Sequence, residues 1–114
     1  MAIEKLSDIC FKQEQDGNIT RFYCRISDTF YGFEGHFENQ PILPGVCQLQ
    51  LVVEGVTSIT SRAPSIQSVD RMKFQNLILP GGEFILELES MPNAWQYRLY
   101  GNDHDFASGK MVLR

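Results

Sequence analysis

The chain has 114 residues, ten basic and fourteen acidic, for a formal net charge of −4. That length suits one domain with its own core and leaves little room for a second. The acidic balance argues against wholesale binding of nucleic acid or anionic membrane. No apolar run approaches the roughly 20 residues of a membrane span, and MAIEKLSD at the N-terminus lacks the apolar stretch of a signal peptide, so the expected compartment is the cytoplasm. Cys10, Cys24 and Cys47 show no C-x-x-C spacing and read as reduced, mostly buried thiols, with no metal site implied.

In chain order, residues 9–14 alternate roughly two by two, which predicts a strand with Ile9 and Phe11 facing inward. Asp16-Gly17-Asn18 is a turn, because Gly and Asn tolerate positive φ. Residues 19–26 read as the returning strand, with Phe22, Cys24 and Ile26 on one face. Phe30-Tyr31-Gly32 adds a short extended piece. From Gly45 to about Arg62, apolar residues Val46, Leu49, Val52, Val53, Val56 and Ile59 recur at steps of three and four, which is helical spacing. A helix apolar around most of its circumference is expected to be buried, and Pro64 marks its end.

Three further strands follow. Residues 66–75 place Met72 and Phe74 on one face; residues 83–90 alternate Phe84, Leu86 and Leu88 against Ile85, Glu87 and Glu89. After a Pro92-Asn93 turn, residues 94–100 alternate Trp95, Tyr97 and Leu99 against polar neighbours. Gly101-Asn102-Asp103 then turns the chain into a last strand, 106–113, and His104 falls in that polar turn. Two strands, one long buried helix and an antiparallel meander make an α+β pattern: a curved antiparallel sheet wrapped around one central helix, in a single domain over 1–114.

The stretch from Phe33 to Gln50, FEGHFENQPILPGVCQLQ, is where chemistry concentrates. His36 sits between glycine and phenylalanine in a loop, and Pro44-Gly45 is a helix start, since proline's missing N–H costs nothing in the first turn. The free amides after it form a positive nest able to hold a carbonyl. The wording GHF, three residues, then P-I-L-P-G-V and an apolar helix resembles the signature of the hot-dog-fold 3-hydroxyacyl-acyl-carrier-protein dehydratases. Lys73-Phe74 followed by Leu77-Ile78-Leu79-Pro80-Gly81-Gly82-Glu83 resembles that family's second landmark, an apolar-Pro-Gly turn entering a long strand.

The resemblance implies the hot-dog fold and dehydration of 3-hydroxyacyl thioesters to trans-2-enoyl thioesters in fatty-acid or polyene-type synthesis. It makes His36 the base, gives the amides of Gly45 and Val46 the thioester carbonyl, and lines an acyl slot with Phe33, Phe37, Ile42 and Leu43. It implies no cofactor beyond the phosphopantetheine that carries the substrate. The family's acid, a Glu or Asp four residues after the Val of P-G-V, is Gln50 here, and an amide cannot ionise. Glu54 stands one turn on, where many relatives carry Gln, as an i,i+4 neighbour on the same face. The pair Gln50/Glu54 is therefore expected to replace the usual acid; the same pair also suits a polar stripe at a subunit interface. Cys47 near the helix start lacks a partner that would make it a nucleophile, and its expected role is packing.

The carrier protein implied as partner is acidic, so docking calls for local cations, and Arg62, Arg71 and Lys73 are the candidates. Two other readings stay open: a hot-dog thioesterase using Glu54, or an acyl-binding or partner subunit without turnover because Gln50 replaces the acid. The resemblance implies a homodimer or larger homo-oligomer, and the sheet edge that so short a domain leaves bare gives that expectation a physical reason.

Overall fold

The computed structural model describes residues 5–26, 45–79 and 81–114. His36, Phe33, Phe37, Ile42, Leu43 and the Phe30-Tyr31-Gly32 piece lie outside the described residues. The elements are α1 (Leu6–Ile9), β1 (Cys10–Asp16), β2 (Ile19–Arg25), α2 (Gly45–Thr60), β3 (Ile66–Phe74), β4 (Glu83–Met91), β5 (Ala94–Tyr100) and β6 (Asp105–Leu113). The strands form one antiparallel sheet in the order β1-β2-β4-β5-β6-β3, with α2 laid on its inner face. This is the α+β, hot-dog arrangement that the spacing and the resemblance predict.

The period-2 stretches that became β2, β4 and β5 behave as written. Phe22 and Cys24 on β2, Phe84, Leu86 and Leu88 on β4, and Trp95, Tyr97 and Leu99 on β5 are buried together with Ile26. Gly17 turns β1 into β2 at φ +62°, and Asn93 turns β4 into β5 at φ +57°, both in the left-handed region that suits these residue types. On the outer face the strands are tied by charge: Arg21 Nε donates to Glu87 at 3.0 Å, and Arg25 pairs with Glu83.

Packing of α2 depends on a close approach. The helix buries Gln48, Leu51, Val52, Gly55 and Val56, the i, i+3, i+4 stripe of an amphipathic element. A Cβ at Gly55 would stand 2.7 Å from Leu88 Cδ1 and 3.3 Å from Phe22 Cε2. Both neighbours are themselves buried, so neither has space to retreat. Gly55→Ala gains up to about 1 kcal/mol of helix propensity but overpacks the core at a cost of about 1–3 kcal/mol. The expected outcome is a net loss of about 1 kcal/mol in urea unfolding; a higher midpoint than the parent would show that the helix can lift off the sheet freely.

Four expectations need correcting, and the cause is local geometry each time. Ile9 closes the short helix α1 and does not open a strand. Phe11 is 62 % exposed, because a bulge between Cys10 and Lys12 makes Cys10 and Gln13 the inward positions of β1. A second bulge between Asp70 and Lys73 separates Met72 from Phe74: Met72 lines a cleft with Gln96 and Lys110, whereas Phe74 leans on Gly45. Arg71 in that bulge has φ +54°, a left-handed conformation that costs a non-glycine residue roughly 1–2 kcal/mol. Val46, expected in the core, is 73 % exposed at the first turn of α2, on the side away from the stripe.

Candidate active site

The site is built on α2. Its start at Gly45 leaves the first amides without partners inside the helix, which is the donor set a polarised carbonyl requires. The Phe74 ring lies against Gly45 so closely that a Cβ there would fall 2.7 Å from Phe74 Cζ. A larger residue there would push the ring aside, and the ring forms an apolar shoulder beside the amides of Gly45 and Val46.

One and two turns further along the same helix, Gln50 and Glu54 line a cavity of about 620 Å³ between α1, β1, β2 and α2. Leu6, Phe22 and Val53 supply apolar wall, and Cys10, Gln13 and Thr57 add polar atoms. Gln50 is exposed and Glu54 half-buried. The Glu54 carboxylate is engaged: its Oε1 accepts a hydrogen bond from the backbone N–H of Leu6 at 2.8 Å, at the first turn of α1. Glu54 thus has a structural task, holding the N-terminal segment on α2, and leaves its second oxygen for other work.

The structure brings Gln50 and Glu54 together on one wall and places Gly45 and Val46 two turns before them. It separates the three candidate docking cations. Lys73 adjoins Phe74, at the start of α2, and Arg71 is two residues before it. Arg62 follows the last residue of the 16-residue helix, so about 24 Å of α2 lies between it and the other two. Burial pushes the Cys47 thiol up from its ordinary value, which favours packing over nucleophilic chemistry. His104 is exposed in its turn.

Sequence reasoning missed two participants. Gln48 is buried on the core stripe of α2, a polar side chain where an apolar one was due, and that misfit with its helical position was the available signal. α1 roofs one side of the cavity; a four-residue helix carries too little periodicity to be read.

Comparison with known proteins bears on what this site does. A family model described as ApeI-like, ApeI dehydratase, matches residues 12–110. The chain is 31 % identical over 78 residues to a 3-hydroxyacyl-[acyl-carrier-protein] dehydratase FabZ of Granulibacter bethesdensis, covering 58 % of this chain and 46 % of that one. It is 24 % identical to the FabZ of Clostridium beijerinckii, covering 78 % of this chain and 66 % of that protein. The chain therefore spans about half to two thirds of the length of these curated relatives. Among solved structures, a chain of the dehydratase heterocomplex ApeI:P from Xenorhabdus doucetiae superposes with a TM-score of 0.84 at 27 % identity, over 92 % of this chain and 96 % of that one.

Proposed function

The chain belongs to the ApeI-like dehydratase family, and from that premise we propose that it dehydrates 3-hydroxyacyl thioesters, carried on acyl carrier protein, to trans-2-enoyl thioesters in the cytoplasm. The observation that carries this reading is the polar pair Gln50/Glu54 on the wall of a largely apolar cavity, on the helix whose start offers free amides. In the proposed step, His36 removes the C2 proton while the amides of Gly45 and Val46 hold the thioester oxygen as charge develops on it. Glu54 gives a proton to the 3-hydroxyl, with Gln50 orienting that group, and the C3–O bond breaks to release water. Phe33, Phe37 and Leu43 are assigned to the acyl chain on the family resemblance alone.

We propose further that the carrier docks by its acidic surface on Arg71 and Lys73, which adjoin the start of α2 through Phe74. A second copy of the chain completes the site, as the bare β3 edge supports. A second reading is favoured by one particular observation, the likeness to a chain of a dehydratase heterocomplex. Together with Gln50 in the acid position, it supports a partner subunit that contributes to a site shared with a different chain. No helix among the described residues is long and apolar enough to cross a membrane.

The test is to incubate the purified protein with a 3-hydroxyacyl thioester and follow both enoyl-thioester absorbance and free thiol. Dehydration raises the first alone. Released thiol without enoyl product would make the protein a thioesterase. Neither signal, with binding intact, would point to the partner-subunit reading.

A further inference from the structure

The outer face of the sheet carries a second cleft, unrelated to the cavity beside α2. It has a volume of about 430 Å³ and lies where β3, β5 and β6 run side by side, with Arg71, Lys73, Gln96, Ser108 and Lys110 around it and Met72 and Met91 as apolar wall. That volume is within the usual range for small-ligand sites, about 300–1,000 Å³. No acidic side chain lines it.

Among the described residues three cations pair with a carboxylate, and three of those that do not gather in this cleft. Lys12, Arg21 and Arg25 each pair with a glutamate, Arg98 is stacked on Tyr100, and Arg114 Nε donates to Ile66 O. Among the described residues Arg71, Lys73 and Lys110 pair with no carboxylate, although Asp70 stands opposite Lys110 in the β3–β6 register. Lys73 stands opposite Ser108, so Lys110 is its diagonal neighbour, a separation of roughly 7–8 Å between backbones. The bulge inserts Arg71 and Met72 between those two rows, and it does so at the cost of a left-handed arginine. Three like charges thus converge, unneutralised, on a concave surface of a protein whose net charge is −4. An anion bound in the cleft would relieve their mutual repulsion, which Asp70, opposite Lys110 but outside the cleft lining, offsets only in part.

We propose that this cleft is a binding site for a phosphate ester. A tetrahedral phosphate, dianionic in a free monoester and monoanionic in the diester that joins a pantetheine arm to its carrier, matches the donor set: a guanidinium that can bind two oxygens at once, two ammonium groups, a serine hydroxyl and the Gln96 amide. The two methionines, flexible and apolar, accommodate the organic part of the ester. The ester has two possible sources, the pantetheine arm of a carried substrate or a free phosphorylated metabolite. The first rests on the dehydratase reading; the phosphate site itself does not.

The experiment is calorimetric titration of the full chain with 4′-phosphopantetheine, with pantetheine and with inorganic phosphate, at two salt concentrations. Arg71→Gly with Lys110→Gln is the informative variant, because glycine accepts φ +54° at ease and the fold loses charge without gaining strain. 4′-Phosphopantetheine is expected to bind at least tenfold more tightly than pantetheine, more so at low salt, and the double variant is expected to reduce that ratio below twofold with an unchanged melting temperature. Should the double variant melt early, Lys73→Gln with Lys110→Gln, which leaves the bulge intact, serves the same purpose. Inorganic phosphate binding as tightly as 4′-phosphopantetheine would keep the site and assign it to free phosphates. Equal affinity for 4′-phosphopantetheine and pantetheine, or a ratio that survives both variants, would overturn the proposal. None of these readouts needs turnover, so a protein that binds phosphate here but forms no enoyl product would overturn the dehydratase reading alone.

Discussion

Glu54→Gln is expected to lower turnover of a 3-hydroxyacyl thioester by about 10²–10⁴-fold, the usual share of a positioned acid or base, while the protein melts like its parent. Glutamine keeps the Oε1 atom that accepts from the Leu6 amide at 2.8 Å, so α1 stays docked on α2. What it loses is the proton for the departing 3-hydroxyl. Glu54→Leu removes both functions: it strands the part-buried Leu6 N–H, at a cost of about 1–3 kcal/mol, and it ends turnover. The two variants together separate the structural task of this carboxylate from the chemical one. Adding Gln50→Glu to Glu54→Gln returns a carboxylate to the cavity one turn earlier, and part of the activity is expected to return with it, since residues four apart share a helix face. Unchanged turnover in Glu54→Gln would leave Glu54 as a cap for α1 and nothing more.

That dual role shows where sequence reading reached and where it stopped. Gln50 and Glu54 share a face because helices repeat every 3.6 residues, and the spacing alone predicted it. The hydrogen bond from Leu6 to Glu54 joins residues 48 apart in the chain, and no local pattern announces such a contact. The sheet divides in the same way. In β4 and β5 strict alternation predicted Phe84, Leu86, Leu88, Trp95, Tyr97 and Leu99 as buried, because β4 pairs in unbroken register with β2 and β5. In β1 and β3 the bulges at Phe11 and Arg71 insert residues, and one inserted residue reverses the face of all that follow. Phe11 outside the core and the parting of Met72 from Phe74 both follow from that parity change.

The bulge strand also forms the sheet's open edge, which leads to the second large effect. Among the described residues β3 pairs with β6 alone, and its end carries Phe74, 54 % exposed, against the start of α2, where Val46 is 73 % exposed. Leu77, in the connection that follows, is 58 % exposed. Wet apolar side chains beside the amides proposed to hold the thioester oxygen are what a second copy of the chain would cover, each contributing roughly 1.5–3 kcal/mol on full burial. Val46→Asp is therefore expected to convert a dimer into a monomer in analytical ultracentrifugation. A carboxylate placed in the dry interface also costs several kcal/mol of desolvation. The same change is expected to reduce turnover at least a hundredfold, because it removes the copy that closes the site and sets a negative charge beside the amides meant for the thioester oxygen. Gln67→Asp, on the exposed far end of β3 and away from the helix start, adds the same charge without touching Val46 or Phe74 and is expected to lose far less activity. If Val46→Asp stays dimeric with full activity, the copies meet elsewhere, and the apolar rim at the start of α2 has to be explained by a different chain.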